Sequence, residues 1–403
     1  MPIIRALRHR KIGAVLIGLQ IALTIAILAN SLSVVQQRIA HMRRPTGLDE
    51  ADIFTMANQF SGSMTDLSAR IQADLARLRA IPGVVDAVAV HSFPLRGYGG
   101  STGVTRTSDL KASSVNAAEY SFPERTLQTW GLRVIAGRNF TATEFKEQPV
   151  GTDWAPPPVV IVSQALAKAL FPRGDALGKD IYLTSSAPTR IIGIVERAQT
   201  PWAANESVLF GAENAVLEPI QTVSPSIAYV VRTRPGRNAA LLAVAQQQLY
   251  TLSRARIISE AQTFAETRAE RYRSDRSLIL ILAVVCLLMM MVTVLGIVAL
   301  TAYWVVQRRK YIGMRRALGA RRADVLRYLQ TENLLIAGFG AVLGVVMGLA
   351  GNAWLASAFE MTRFSAAYII VAAIMLLLLS QIAVLWPALR AAMLPPVAAI
   401  RGH

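Results

Sequence analysis

The string that comes nearest to a nucleotide-binding motif is Gly174-Asp-Ala-Leu-Gly178-Lys179-Asp180. A phosphate-binding loop uses backbone N–H groups between two glycines to hold phosphates, and the Ser or Thr after its lysine binds magnesium. Here the glycines are one residue too close, and Asp180 stands where Ser or Thr is needed. We therefore expect no nucleotide binding by this chain.

Histidine and cysteine positions predict no metal site. The histidines are far apart in sequence and offer no i, i+4 pair of ligands; they are His9, His41, His91 and His403. Cys286 is the only cysteine, so an intramolecular disulfide cannot form. We expect that the chain is not an enzyme and that it has no catalytic, metal-binding or cofactor-binding residue of its own.

Four long apolar runs dominate the sequence, one near its start and three near its end. The first, residues 12–35, has no charge in 24 residues, which at about 1.5 Å per residue is enough to cross a bilayer core. The others are 278–306, 334–359 and 366–386. Mean hydropathy is +0.40, yet 17% of the residues are charged. Membrane spans and one large polar domain therefore share the chain.

This pattern predicts an α-helical membrane protein with four transmembrane helices and an α+β periplasmic domain inserted between the first and second. The predicted segments are a cytoplasmic N-terminus (1–11), first span (12–35), periplasmic core domain with stalk helices at its ends (36–276), second span (277–306), cytoplasmic loop (307–330), third span (331–359), short periplasmic loop (360–365), fourth span (366–387) and cytoplasmic C-terminus (388–403).

Charge distribution predicts the orientation. The formal net charge is +17, and the predicted cytoplasmic segments hold 14 basic residues against Asp324 alone. The domain from Arg38 to Arg276 is nearly balanced, with 27 basic and 22 acidic side chains. By the positive-inside rule, both termini and the 307–330 loop are cytoplasmic and the domain is periplasmic. Because the basic clusters flank spans, we do not expect a nucleic-acid partner.

A cleaved signal peptide is the alternative interpretation of the first apolar run. The run is longer than the apolar core of a signal peptide, which is about 7–15 residues, and no A-x-A-like cleavage site closely follows it. We expect an uncleaved membrane anchor in the cytoplasmic (inner) membrane.

Periodicity within the periplasmic domain predicts mixed helices and strands. Helices are expected at 66–80, 163–170 and 238–252, and strands at 53–56, 84–90, 159–162, 181–184, 190–195, 227–233 and 257–259. Residues 92–114 and 141–158 look like loops. A strand, helix and strand occur before residue 91 and again after 226, so two lobes are expected, the middle being an insertion.

Polar helical sequence at 34–43 and between 257 and 278 is expected to extend the first two spans as a stalk. The stalk would transmit motion between membrane and domain, or it would be a passive extension of the helices; the pattern leaves both open.

The cytoplasmic loop contains a short basic helix pattern. Met314 and Leu318 share a helical face, and Gly319 is a typical stop. The basic residues would bind anionic membrane lipid, or the apolar pair would dock on a cytoplasmic partner. In the third span, Gly340, Gly344 and Gly348 lie nearly on one face, which predicts close packing against another helix.

The loop and its neighbours resemble the FtsX/MacB-type ABC-transporter permeases. Residues 308–332 read R-R-K-Y-I-G-M-R-R-A-L-G-A-R-R-A-D-V-L-R-Y-L-Q-T-E, close to the family's R-R-K-E-I-G-I-R-R-A-L-G-A-x-R-x-x-I-x-x-x-x-x-x-E, with Tyr311 in place of the usual Glu. The ending from Trp386 to Arg401 is similar to the family's P-A-x-x-A-x-x-x-x-P-x-x-A-L-R close, and 132–140 and 159–179 resemble the MacB-type periplasmic core.

The resemblance implies a type VII ABC permease, in which a dimer of identical or paralogous four-span subunits is driven by separate cytoplasmic ABC ATPase subunits that bind ATP and Mg²⁺. The coupling element would be Met314, Arg315, Arg316, Ala317, Leu318 and Gly319. We expect export or efflux, with a periplasmic adaptor and an outer-membrane channel as further partners. The alternative is an FtsX-like or lipoprotein-extractor-like mechanotransmission subunit that acts on an outer partner. A receptor unrelated to ABC machinery is a more distant alternative.

Overall fold

The computed structural model describes residues 11–62, 65–109, 111–150, 152, 155–202, 211–318, 320–359 and 366–393. The chain divides into two compact units: a helical unit, Met1–Ala40 with Asp275–His403, and an α+β unit, His41–Ser274. Residues 1–10, the predicted periplasmic loop 360–365 and the C-terminal residues from 394 lie outside the described part.

The helices are α1 (Lys11–Met42), α2 (Leu67–Arg79), α3 (Thr126–Trp130), α4 (Gln164–Leu170), α5 (Asn238–Leu252), α6 (Phe264–Arg271), α7 (Arg273–Gln307), α8 (Arg309–Ala317), α9 (Arg322–Phe359) and α10 (Ala366–Met393). By length and composition, α1, α7, α9 and α10 qualify as membrane spans. Pro387 lies inside α10, which continues to Met393. The membrane boundaries within these helices stay predictions.

Within the helical unit, α1 packs against both α7 and α9. The hydroxyls of Thr24 on α1 and Thr293 on α7 are hydrogen-bonded at 2.9 Å. Ile21 and Ile25 are buried in one apolar cluster with Ile336 and Ala337 of α9. On α10, Ser380 accepts hydrogen bonds from the Asn333 amide of α9. Apolar side chains and a few paired polar groups therefore hold these helices together.

The strands of the α+β unit are β1 (Ile53–Phe60), β2 (Val84–Val90), β3 (Gly100–Thr105), β4 (Val115–Ser121), β5 (Val134–Gly137), β6 (Lys146–Pro149), β7 (Val159–Ser163), β8 (Asp180–Leu183), β9 (Thr189–Val195), β10 (Ala215–Glu218), β11 (Ile220–Val223), β12 (Ser226–Thr233) and β13 (Arg256–Thr263).

One sheet of this unit is antiparallel, with strand order β13-β1-β12-β2. Helices α2 and α5 cover it, since Ile71 and Leu75 of α2 and Leu249 of α5 share a buried cluster with Phe54 and Tyr229. Beneath them, Arg256 forms a bidentate ion pair with Asp74 at 2.7 and 3.0 Å. Both side chains are 2% exposed, so this pair is part of the core.

The second sheet closes on itself. Its strand order is β5-β9-β7-β10-β4-β3-β8, and β8 also pairs with β9. Six strands, in the order β9-β7-β10-β4-β3-β8, therefore form a small closed barrel. Strand β5 pairs with β9 and is not part of the closed ring. Its aliphatic cluster includes Ala117, Val160, Ile181 and Val216, and α4 contributes Leu166 and Leu170 to it. A two-stranded pairing of β6 with β11 completes the described sheets.

The predicted helices and strands in the α+β unit are present, with ends shifted by at most a few residues, except that β1 and β13 each extend about four residues further. The two-lobed arrangement is also present, because β1, β2, β12 and β13 come from the two ends of the unit and the barrel comes from its middle.

Two predictions about this unit are wrong. The segments 92–114 and 141–158, expected to be loops, contain β3 and β6. The unbroken helix considered between 257 and 278 does not form: 256–263 is a strand, and the helix that follows is interrupted at Tyr272, between α6 and α7. Strand pairing within the sheet outweighs the local helical pattern. The first stalk prediction is confirmed, since α1 continues to Met42.

Candidate functional site

The loop predicted to be cytoplasmic contains helix α8 between α7 and α9. Ile312 is buried in the apolar cluster of the helical unit, whereas Met314 is 56% exposed and Leu318 is 84% exposed. Exposing an apolar side chain such as Leu318 to water is unfavourable, and burying it against another protein would be favourable. This surface is therefore suited to contact with a partner.

Not every predicted coupling residue can be described. Arg315 is exposed, and its guanidinium lies 5.8 Å from the Tyr328 ring centroid. Arg316 and Ala317 belong to α8, but their side chains, like that of Tyr311, lie outside the described part. Gly319 lies wholly outside it. The role of these six residues in coupling stays a prediction.

An ion pair fixes the two ends of this loop. Arg308, just after α7, donates from Nη1 to Glu332 Oε2 at 2.6 Å and from Nη2 to Glu332 Oε1 at 3.0 Å. Nη1 also donates to the Tyr328 hydroxyl at 3.2 Å. The side chains of Arg308 and Glu332 are only 13% and 5% exposed. This bidentate contact braces the base of α8, because it ties the end of α7 to α9.

Two of the predicted packing glycines lie against α1. A Cβ at Gly340 would be 2.6 Å from the Gly18 carbonyl oxygen, and one at Gly344 would be 2.8 Å from that of Ala22. At Gly348 the nearest atom would be Ile369 Cγ2 at 3.6 Å, which is an ordinary contact. Gly340 and Gly344 thus allow a backbone approach inside the subunit. A role of these glycines between subunits stays a prediction.

In the α+β unit, Arg268 of α6 joins the end of α1 to the segment that follows it. Its Nη1 donates to the carbonyl oxygens of Met42 at 2.9 Å and Arg44 at 3.1 Å. Its Nε donates to Glu50 Oε2 at 2.9 Å, and Nη2 donates to the other oxygen of the same carboxylate. A cation at a helix C-terminus satisfies carbonyls that have no partner in the helix.

The same helix also binds the segment after β2. Arg271 Nε donates to the Leu95 carbonyl at 3.0 Å, and its Nη2 donates to that of Arg96. A Cβ at Gly97, where φ is +98°, would meet the Arg271 guanidinium at 2.0 Å. We name Arg268, Arg271 and their partners the stalk joint. The sequence indicated a polar helical stalk but not which carbonyls its arginines bind.

Other motif-like strings have structural explanations. Lys179 lies 3.8 Å from the carboxylate of Asp175 in an exposed ion pair inside the phosphate-loop-like string. Residues 99–103 match a G-x-S-x-G nucleophile elbow, but Ser101 lies within β3, paired with Ala118, and not at a strand-to-helix turn. Among the described residues, no group of three His, Cys, Asp or Glu is arranged to hold a metal ion.

Two family models match the chain. The MacB-like periplasmic core domain matches residues 12–248, and the FtsX-like permease C-terminal model matches residues 283–396. Because the first alone covers more than half of the sequence, the chain belongs to the family defined by the MacB-like periplasmic core domain, followed here by an FtsX-like permease region.

Curated relatives include the macrolide export ATP-binding/permease protein MacB of Neisseria meningitidis, 27% identical over 257 residues that cover 62% of this chain and 37% of the relative. The MacB protein of Rhodospirillum rubrum is 28% identical over 260 residues, 61% of this chain and 38% of the relative. The chain thus matches little more than a third of the length of these relatives.

Solved structures with detectable similarity include the extracellular domain of the noncanonic ABC-type transporter YknZ from Gram-positive bacteria, with a TM-score of 0.33, 16% identity, and coverage of 51% of this chain and 99% of that one. The periplasmic region of MacB from Actinobacillus actinomycetemcomitans has a TM-score of 0.32 and 17% identity, and covers 55% of this chain and 94% of that one.

The family and the four apolar helices define the class of protein. The chain is an ABC-transporter permease of the FtsX-like, MacB-like type, a multi-pass protein of the inner membrane with a periplasmic domain.

Proposed function

We propose that this chain is the permease subunit of an ATP-driven transporter that couples cytoplasmic ATP hydrolysis to movement of its periplasmic unit, for export or efflux. The names of its MacB relatives, which are macrolide export proteins, support export over action on an outer partner without transport. The cargo is not part of this proposal.

The observation that carries the proposal is the loop that contains α8. Met314 and Leu318 are apolar and exposed, and the Arg308–Glu332 pair fixes the loop's base. A fixed base with exposed apolar anchors is the arrangement expected of a docking element. We propose that a separate cytoplasmic ABC ATPase binds here, holding ATP and Mg²⁺; the 403-residue sequence contains no G-x-x-x-x-G-K-[ST] string.

On the periplasmic side, we propose that the α+β unit, inserted between α1 and α7, follows the motion of those helices. The continuity of α1 to Met42 and the Arg268 contacts at its end support this route. A tilt of α1 would then reach Glu50 and the strand β1 through one guanidinium rather than through a flexible linker. The transporter would contain a second permease, identical or paralogous, and a periplasmic adaptor with an outer-membrane channel for efflux.

The test compares the effects of two substitutions in this loop on ATPase binding, one at an exposed apolar residue and one at an exposed charged residue. Truncating a buried interface anchor commonly costs about 2 kcal/mol or more, whereas an exposed ion pair contributes about 0–1 kcal/mol. We expect that Leu318→Asp abolishes co-purification of the ATPase and transport, while Arg322→Ala, an exposed control on the same loop, keeps both. Retention of the ATPase and of activity by Leu318→Asp, with loss of both in Arg322→Ala, would contradict apolar docking.

A further inference from the structure

Helix α10 exposes a single apolar face along its length. Its exposed large side chains follow one another at spacings of three or four residues, which places them on one side of the helix; they are Ile370, Ile374, Leu378, Ile382, Trp386 and Leu389. On the opposite side, Ile369, Ala372 and Leu376 are buried in the apolar cluster of the helical unit. Because α10 qualifies as a membrane span, its exposed face is suited to contact with the acyl chains of lipid.

The chemistry of this face changes near the end of the helix. Trp386 is 54% exposed, and the guanidinium of Arg390, one turn later, lies 4.0 Å from the centroid of its ring. Tryptophan is enriched where a membrane meets water, and an arginine stacked on it is held by a cation–π contact. Arg390 is exposed and, within the part of the chain that the structure describes, its side chain makes no hydrogen bond or ion pair. A guanidinium has five N–H donors, so this one can bind an anion.

The last turns of α10 are apolar as well as basic. Leu389 is 45% exposed and Met393 is 63% exposed. Pro387 does not end the helix, which continues to Met393. A helix end that exposes aliphatic side chains beside an arginine is suited to the boundary between acyl chains and head groups, and not to bulk water. Arg390 is therefore placed at the level of the lipid phosphates.

Helix α9 runs antiparallel to α10. A Cβ at Gly348 would lie 3.6 Å from Ile369 Cγ2, near the start of α10. Further along α10, the Asn333 amide donates to the Ser380 carbonyl oxygen at 3.3 Å. Residue numbers thus fall along α9 as they rise along α10. The hydrogen bond fixes which positions of the two helices lie at the same depth in the membrane.

A second arginine lies at the level of the tryptophan. Arg327 on α9 and Trp386 on α10 are each six residues beyond that hydrogen bond, which is about 9 Å at 1.5 Å per residue. Arg327 is exposed, and its side chain also makes no hydrogen bond or ion pair in the described residues. The acidic residues of the described α9 and α10 have other partners: Glu332 is ion-paired, and the Asp324 carboxylate accepts from the Arg321 backbone N–H. Two exposed arginines without a carboxylate partner therefore lie at this end of the helix pair.

We propose that Arg390, stacked on Trp386, and Arg327 bind the phosphate of an anionic phospholipid, whose acyl chains extend along the exposed face of α10. Charge complementarity favours such a lipid over one in which an ammonium group neutralises the phosphate. The charge distribution of the chain predicts that this end of α10 is cytoplasmic, so the lipid belongs to the cytoplasmic leaflet. The proposal goes beyond the proposed function, because it requires neither the ATPase nor a cargo.

The experiment measures lipid binding to the purified full-length chain in detergent by native mass spectrometry. Dioleoylphosphatidylglycerol is the anionic probe, and dioleoylphosphatidylcholine, with the same acyl chains and no net charge, is the reference. We expect the wild type to bind its first phosphatidylglycerol more tightly than its first phosphatidylcholine. Arg390→Ala and Arg327→Ala should each weaken phosphatidylglycerol binding roughly fivefold. Trp386→Leu, which stays apolar but removes the ring, should weaken it roughly two- to fivefold.

Two variants serve as matched controls. Arg309→Ala removes an exposed arginine of α8, and Trp354→Leu removes an exposed tryptophan toward the other end of α9. Neither should change the affinity for phosphatidylglycerol. Equal affinity of the wild type for the two lipids would overturn the proposal. So would a loss in Arg309→Ala as large as that in Arg390→Ala, because it would show a general attraction of the basic surface for anionic lipid.

Two further measurements separate a lipid from other occupants of this surface. Inorganic phosphate in excess should not displace phosphatidylglycerol, because it has no acyl chains to contact α10; displacement would show a site for small anions and contradict lipid binding. Arg390→Ala should keep co-purification of the ATPase. Loss of the ATPase with unchanged lipid binding would assign the surface to that partner instead.

Discussion

Arg308 and Glu332 form a bidentate ion pair, at 2.6 and 3.0 Å, between the first and last positions of the basic sequence motif that contains α8. The two ends of the motif are therefore in contact with each other. The residues between them, which include the exposed Met314 and Leu318, form a loop whose base is held by this ion pair. This relationship suggests that the motif is a structural unit as well as a contact surface.

The first prediction concerns this pair. Arg308→Ala leaves the Glu332 carboxylate, 5% exposed, without its main partner, which commonly costs about 3 kcal/mol at a buried pair. Arg309→Ala, an exposed neighbour, should change stability by less than about 0.5 kcal/mol. Thermal unfolding in detergent measures both. Replacing both partners, as Arg308→Met with Glu332→Leu, should recover most of the loss; equal effects of the two alanine variants would contradict this account.

The second prediction concerns the glycines of α9. Gly344→Ala places a Cβ 2.8 Å from the Ala22 carbonyl oxygen, so α1 must move away, at a cost of about 1–3 kcal/mol. Gly338→Ala is the control, because a Cβ at Gly338 meets no atom within 4 Å. Gly348→Ala should also be tolerated. The measurement is the unfolding midpoint of each variant in detergent, and a Gly338→Ala effect as large as that of Gly344→Ala would count against packing as the cause.

The sequence predicted the long apolar helices, and it predicted the strands and helices of the lobe built on the sheet β13-β1-β12-β2, because apolar periodicity is a local signal. It did not predict β3. The segment from Gly100 to Thr105 consists mostly of Gly, Ser and Thr, and it becomes a strand through pairing with β4, the next strand along the chain, and with β8, which is distant in sequence. Strand formation there depends on tertiary context.

The residues of the candidate site also divide into those that a local sequence pattern indicates and those whose contacts depend on tertiary structure. The motif indicated that Arg308 and Glu332 belong to one element, but the pairing of side chains 24 residues apart depends on how α7 and α9 pack.

The third prediction concerns the stalk joint. Arg268→Ala removes charge-assisted hydrogen bonds to Glu50 and to the carbonyls at the end of α1, each contributing about 1.5–3 kcal/mol. We expect faster amide hydrogen exchange in residues 43–50 of the full-length protein. Arg273→Ala, an exposed arginine close by in sequence, is the control. Unchanged protection of 43–50 in Arg268→Ala would show that the joint is held by other contacts.

The fourth prediction concerns topology. In a Cys286→Ser background, Ser186→Cys and Ala323→Cys place single thiols at exposed positions in the α+β unit and at the start of α9. With the unit periplasmic and the loop cytoplasmic, a membrane-impermeant thiol reagent added to spheroplasts should label only the cysteine at 186. Labelling at 323 before the membrane is permeabilised would contradict the proposed insertion.

The most direct test of the central claim is nucleotide turnover by the native complex. The chain, purified from its own membranes under mild conditions, should bring with it an ABC ATPase, and ATP hydrolysis should follow that subunit through each purification step. Leu318→Asp should separate the two and leave the chain without turnover. Hydrolysis by the purified single chain, persisting after every other ATPase is removed, would contradict the assignment of this protein as a permease subunit driven by a separate ATPase.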